Sequence, residues 1–250
     1  MSEVIIEKKL GIPPDYQYKA IRSRIFLKSN WHKNKLQAIN EVCCFDPQTR
    51  LLDIGTGSGN LELAVSPRVK EIVGLDYNAE ALGFLERCLK KNNFQNVVLK
   101  LFDIRDPEYD NLPGQFSVVT MVDVIEHVKS EDAERLLNWL KPLLITDGLV
   151  CVITPNYKSP WIIIEKLLDL FSLVPGLSEQ QHVIRYDGDS LTTLFNKLGY
   201  ETVMVTSFNT ISFLSPFRKL RQALCRWEIN QRSRHGNLLL CLFQKEKKVS

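Results

Sequence analysis

Short apolar runs alternate along this chain with longer segments whose apolar residues recur at helical intervals. Leu51–Ile54, Glu71–Leu75, Asn96–Phe102, Gln115–Val122 and Gly148–Ile153 read as strands, and the first four carry or meet an acid at their ends: Asp53, Asp76, Asp103 and Asp123. Between them Ala79–Asn92 and Glu131–Leu144 read as helices, the second with Leu136, Leu137, Leu140 and Leu144 near one face. Ser190–Leu198 reads as a further helix, and Glu201–Ser207 and Asn237–Gln244 as two last strands that add an antiparallel edge. This rhythm predicts an α/β fold: one seven-stranded, mostly parallel sheet with helices on both faces and right-handed crossovers.

Three stretches stand outside the alternation. Residues 1–17 are polar, with Pro13-Pro14, and read as an irregular arm; Ile21, Ile25, Phe26, Leu36, Ile39 and Val42 then predict helices over Tyr18–Cys44. Residues 1–45 are thus an N-terminal arm and helices, and 46–250 the main domain, with insertions at 157–187 and 209–235. In the first insertion Trp161–Leu177 is nearly continuously apolar, a helical lid over a substrate, an interfacial helix or a core helix. In the second, Phe217–Arg234 sets six Arg or Lys residues against Glu228 alone, which reads first as a solvated helix face.

Composition narrows the class. With 44% apolar and 24% charged residues, the chain has the make-up of a soluble globular protein, and a net charge of +3 does not by itself argue for nucleic acid. The six cysteines show no C-x-x-C spacing, so they read as reduced thiols of a cytoplasmic protein. The first residues lack a signal-peptide pattern, and no run approaches the roughly 20 apolar residues that span a bilayer.

The chemistry starts at LLDIGTGSGNLEL, Leu51–Leu63, where Gly55, Gly57 and Gly59 alternate behind Asp53 and Thr56 sits between the first two. A strand that stops at such a turn and restarts as a helix brings backbone N–H groups close to a ligand. The dinucleotide fingerprint needs glycine where Asn60 stands. Residues 51–156 instead resemble the class I S-adenosylmethionine (SAM) methyltransferases, whose fold is Rossmann-like. The resemblance implies SAM as cofactor, with the glycine loop and Thr56 beside its methionine part and Asp53 facing the ammonium. It further implies Asp76 on the ribose hydroxyls with Tyr77 covering that edge, and Asp103 and Ile104 at the adenine.

After the fourth strand stands Asp123-Val124-Ile125-Glu126-His127, and neither the Asn/Asp-Pro-Pro-aromatic run of amino-group methyltransferases nor a Pro-Cys nucleophile. A helical turn starting near Asp123 would put positions 123, 126 and 127 on one face, where they could hold a divalent metal such as Mg2+. Equally, His127 could act as general base beside Asp123, or Glu126 could cap a helix with His127 packed beneath the cofactor. His182, in QQHVIRYD, is a fourth candidate ligand. That run and the acid-x-x-Glu-His segment are similar to the ubiquinone-biosynthesis O-methyltransferases and their small-molecule relatives, in which peripheral membrane contact is found. They are also similar to RNA 2′-O-methyltransferases. The expectation is therefore methyl transfer to an oxygen of a small, lipophilic acceptor. RNA 2′-O-methylation and a non-catalytic SAM-binding partner or sensor stand as alternatives.

Overall fold

The computed structural model describes residues 12–106, 112, 114–160, 163 and 183–246. The chain begins with two helices, α1 (Tyr16–Ile21) and α2 (Phe26–Val42), and then enters β1 (Arg50–Ile54). There follow α3 (Asn60–Val65), β2 (Glu71–Asp76), α4 (Ala79–Lys91), β3 (Val97–Leu101) and β4 (Phe116–Val122). The second half adds α5 (Ser130–Leu140), β5 (Leu144–Pro155), α6 (Gly188–Lys197), β6 (Tyr200–Phe208), α7 (Arg218–Asn230) and β7 (Leu238–Lys245).

The seven strands form one sheet in the order β3-β2-β1-β4-β5-β7-β6. β1 to β5 pair in parallel, while β7 lies antiparallel between β5 and β6, so six strands end at one edge and β7 alone runs the other way. Successive strand side chains point to opposite faces, and the core divides accordingly. Leu52, Ile54, Val119 and Val152 pack with α5 and α6 on one face; Leu51, Val118, Cys151 and Leu240 pack with α2, α3 and α7 on the other. Each such buried leucine or valine contributes about 1.5–3 kcal/mol. Ala38 and Ile39 join the second cluster, so α2 is part of the sheet's own core.

Two boundaries differ from the sequence reading. The helix expected to reach Leu144 ends at Leu140, because Pro142 lacks the N–H that would continue it, and a 3-10 turn covers Lys141–Leu143. Leu144 instead opens β5 opposite Phe116, four residues before the expected start at Gly148. The basic segment is likewise more than a solvated face. α7 packs on α2, with the buried Arg221 donating to Asn34 and Arg226 pairing with Glu41. The buried Glu228 carboxylate accepts from the N–H groups of Asn209, Ile211 and Ser212 and from the Ser212 hydroxyl. Apart from Ile163, the apolar lid Trp161–Leu177 lies outside the described residues, as does His182. Among the described residues no helix is long and apolar enough to cross a membrane.

Candidate active site

β1 delivers Asp53 to the carboxyl edge of the sheet, and the chain then turns through Gly55, Gly57 and Gly59, all at positive φ. Two of these positions admit only glycine for packing reasons too. A Cβ on Gly55 would stand 2.3 Å from Val124, and one on Gly59 2.0 Å from Leu85. The loop therefore sits against its neighbours, with Gly55 and Thr56 N–H donating to the Leu75 carbonyl and Gly57 N–H to Asp76. Its Thr56 hydroxyl is buried and has no hydrogen-bond partner among the described residues.

Asp53 is buried and accepts from the Thr120 hydroxyl. Burial pushes its carboxyl up to about 6, against the opposing hydrogen bonds of Glu62 and Thr120 and with help from the charge of Asp76. Glu62, one turn into α3 and fully buried, is raised well above the carboxylate range by burial and then by Asp53. Neither Glu62 oxygen has a hydrogen-bond partner among the described residues, and its burial beside Asp53 favours the protonated form. Both carboxyls are raised, so placing a second negative charge beside the loop is the harder step. Glu62 escaped the sequence reading; its signal was an acid inside the apolar run Asn60–Val65.

At the end of β2, Asp76 accepts from Gly57 N–H (2.7 Å) and Asn78 N–H (2.8 Å). Burial raises its carboxyl, and those two donors oppose the rise. Each oxygen keeps a second lone pair for a ligand hydroxyl. Asn78 in turn caps α4 through Glu80 and Ala81 N–H. Past β3, the Asp103 carboxylate is held below its usual range by the side-chain hydrogen bond of Arg105, which grips both its oxygens. Arg105 also lies 5.5 Å from the Tyr77 ring centroid, so Tyr77, expected over the ribose edge, neighbours the segment that carries Asp103 and the buried Ile104, the two residues expected at the adenine.

Asp123 follows β4 at φ 55°, a left-handed conformation that Asp tolerates better than most residues. The 3-10 turn begins only at Ile125, so positions 123, 126 and 127 do not share the helical face that their spacing suggested. Asp123 pairs with Lys35; Glu126 is buried and accepts from the Thr154 hydroxyl at 2.9 Å; His127 is half-buried, 4.0 Å from Glu126. Among the described residues no three His, Cys, Asp or Glu side chains gather to hold a metal.

α2 supplies a wall that the sequence reading did not assign. His32 and Lys35 share one face of α2 and line a small cavity of about 50 Å³ with Asp53, Gly55, Thr56, Asn60 and Asp123. Burial pushes the His32 imidazole down to about 3, and the Lys35 charge adds to it. The imidazole is therefore neutral. Burial raises Asp123, but the Lys35 ammonium outweighs it and leaves the carboxylate below its usual range. From α1, Gln17 reaches the glycine loop, its carbonyl accepts from Asn60, and Tyr18 N–H donates to Ser58. A roomier cleft between α2 and α7, about 280 Å³, is lined by none of these acids.

A family model described as a methyltransferase domain matches residues 15–205. The chain is 31% identical over 115 residues to the probable S-adenosylmethionine-dependent methyltransferase CRG1 of Saccharomyces cerevisiae, covering 45% of this chain and 38% of that one. It is 28% identical over 120 residues to the ubiquinone biosynthesis O-methyltransferase of Psychrobacter arcticus, covering 44% and 42%. It thus spans well under half the length of these curated relatives. Among solved structures, magnesium protoporphyrin IX methyltransferase of Synechocystis, with bound S-adenosyl-homocysteine, superposes with a TM-score of 0.59 at 13% identity, covering 92% of this chain and 96% of that one. With the matched model running from α1 into β6 over the glycine loop and all four strand-end acids, this chain belongs to the methyltransferase-domain family.

Proposed function

We propose that this chain is a SAM-dependent methyltransferase acting on an oxygen of a small, lipophilic acceptor. The observation that carries the proposal is the meeting of Asp53, the start of the glycine loop at Gly55 and Thr56, and the His32–Lys35 wall around one cavity. The residues fit the cofactor: the loop leaves no room for Cβ atoms, Thr56 offers a buried hydroxyl in want of a partner, and Asp76 retains acceptor capacity.

Asp53 would face the ammonium of the methionine part, Asp76 the ribose hydroxyls with Tyr77 over that edge, and Asp103 and Ile104 the adenine. When bound, SAM supplies an activated methyl group on sulfonium, so the protein's task is largely alignment and exclusion of water. The α2 wall would orient the acceptor. His32, being neutral, adds no charge there, and Lys35 is balanced by Asp123. His127, half-buried at the same sheet edge, is the base assigned to the acceptor proton. The O-methyl and small-acceptor parts rest on the likeness to the ubiquinone-biosynthesis enzyme. RNA methylation would call for cations free to hold phosphates, and Arg221 and Arg226 of the basic run are engaged with α2.

Calorimetry with SAM tests cofactor binding, and mass spectrometry of metabolite and lipid pools tests the acceptor through the gain of one methyl group. His127→Ala should keep SAM affinity and lose turnover. Undiminished turnover in that variant would remove His127 from the mechanism.

A further inference from the structure

α2 and α7 lie side by side and run the same way, as the pairings Asn34–Arg221, Gln37–Gln222 and Glu41–Arg226 require. Asn30 ties the start of α2 to the carbonyls of Phe213 and Ser215, just ahead of α7. β6 ends at the same sheet edge as β1, β4 and β5, so both helices begin at the edge that carries the glycine loop. Their first residues bring Ile25, Phe26, Leu27, Leu214, Phe217 and Leu220 to that end of the molecule, all exposed, Ile25 at 64% and Phe217 at 70%. Large apolar side chains clustered in water mark a surface that meets something apolar.

The exposed charges on these two segments have one sign. From Tyr16 to Asn40, and from Ser207 to Trp227, there is no Asp or Glu, while Arg24, Arg218 and Lys219 are exposed. Apolar side chains framed by exposed cations, with Glu228 buried behind residues 209–212, match the boundary of a bilayer that carries anionic headgroups. His32 and Lys35, which line the cavity, lie further along the same α2.

The geometry points to a docking surface, made of the first turns of α2 and α7 with the residues 211–217 between them, that seats the catalytic edge on an anionic lipid bilayer. Resting on the methyltransferase reading above, it identifies the acceptor as a membrane-resident lipid that reaches the cavity from the bilayer. The apolar residues insert at the headgroup boundary while Arg24, Arg218 and Lys219 meet lipid phosphates.

The test is flotation of the full chain with phosphatidylcholine vesicles, with and without phosphatidylglycerol. The expected result is binding to the mixed vesicles only, released by salt. Arg218→Ser with Lys219→Ser should weaken binding roughly 30-fold, about fivefold per cation. Phe217→Ser with Leu220→Gln should abolish it. Serine at position 217, which caps α7, favours the helix, so circular dichroism and SAM calorimetry should be unchanged in both variants. Failure of the unaltered chain to float, equal flotation on neutral vesicles, or undiminished binding by the variants would each overturn the proposal. So would self-association in sedimentation that the Phe217–Leu220 variant breaks, in the absence of any vesicle binding; the covering partner is then a second copy. SAM binding without vesicle binding sinks only this surface. Vesicle binding without SAM binding sinks only the methyltransferase reading.

Discussion

The acid pair beneath the glycine loop makes cofactor affinity a function of pH. Burial lifts the Asp53 carboxyl to about 6, so it takes its charge as pH rises through that value. At about pH 5 the neutral form outnumbers the charged one by about ten to one, and at about pH 7 the ratio is reversed. An α-ammonium has a pKa of about 8 and stays charged throughout. SAM affinity should therefore rise about tenfold between those two pH values, roughly 1.4 kcal/mol, with uptake of the ligand releasing up to one proton. For stability the sign is opposite. The folded protein holds this proton more tightly than the unfolded chain, so the contribution is complete below about pH 4 and lost as pH rises through about 6. It amounts to about 3 kcal/mol in the free protein. The assay is isothermal calorimetry in buffers of different ionisation enthalpy, with Asp53→Asn as control; the control should be weaker at pH 7 and nearly flat across the range. A SAM affinity that moves less than twofold, or an Asp53→Asn variant with the same pH slope, would refute the electrostatic reasoning.

Other substitutions separate binding from support. Asp76→Ala removes a carboxylate that also holds Gly57 and Asn78 N–H, so SAM affinity should fall at least tenfold, given about 1.5–3 kcal/mol for a hydrogen bond to a charged group. Lys35→Met strands Asp123 and should cost about 3 kcal/mol in denaturant unfolding, largely recovered when Asp123→Asn is added; a simple sum of the two single losses would refute the pairing. Glu126→Ala takes the partner of Thr154 from the core and should lower the melting temperature by several degrees, at about 1–3 kcal/mol for the orphaned hydroxyl, whereas His127→Ala should not. Because the Asp123 and Glu126 carboxylates are turned to Lys35 and Thr154, turnover should survive chelation by EDTA, and its loss would show that the acids rearrange around a metal.

The sheet was legible because its rules are local. Each strand carries its own apolar period, and the loop after β1 needs glycine for reasons visible in one short segment. Asp76 and Asp103 could be placed by strand ends alone. The α2 wall could not. Asn34 and Lys35 look like solvent-facing residues until Ser212, Asn209, Arg221 and Asp123 are brought to them, and most of those partners lie well over a hundred positions along the chain. The shared face expected of Asp123, Glu126 and His127 failed for a different reason. Their spacing was read on a helix starting at Asp123, but that residue takes a left-handed turn and points its carboxylate at α2.

The parallel seating of α2 on α7 also sets an order of assembly. The wall that bears His32 and Lys35 is clasped by Asn209, Ser212 and Arg221, separated from Asn34 by 175, 178 and 187 positions. During synthesis the glycine loop and its acids can close as soon as β1 to β4 have emerged, while the segment facing them waits for nearly all of the chain. Contacts of such long sequence separation form late. On the proposed function, a nascent or truncated chain would thus own a cofactor cradle before it owns an acceptor wall, and transfer would begin only once α7 has locked α2.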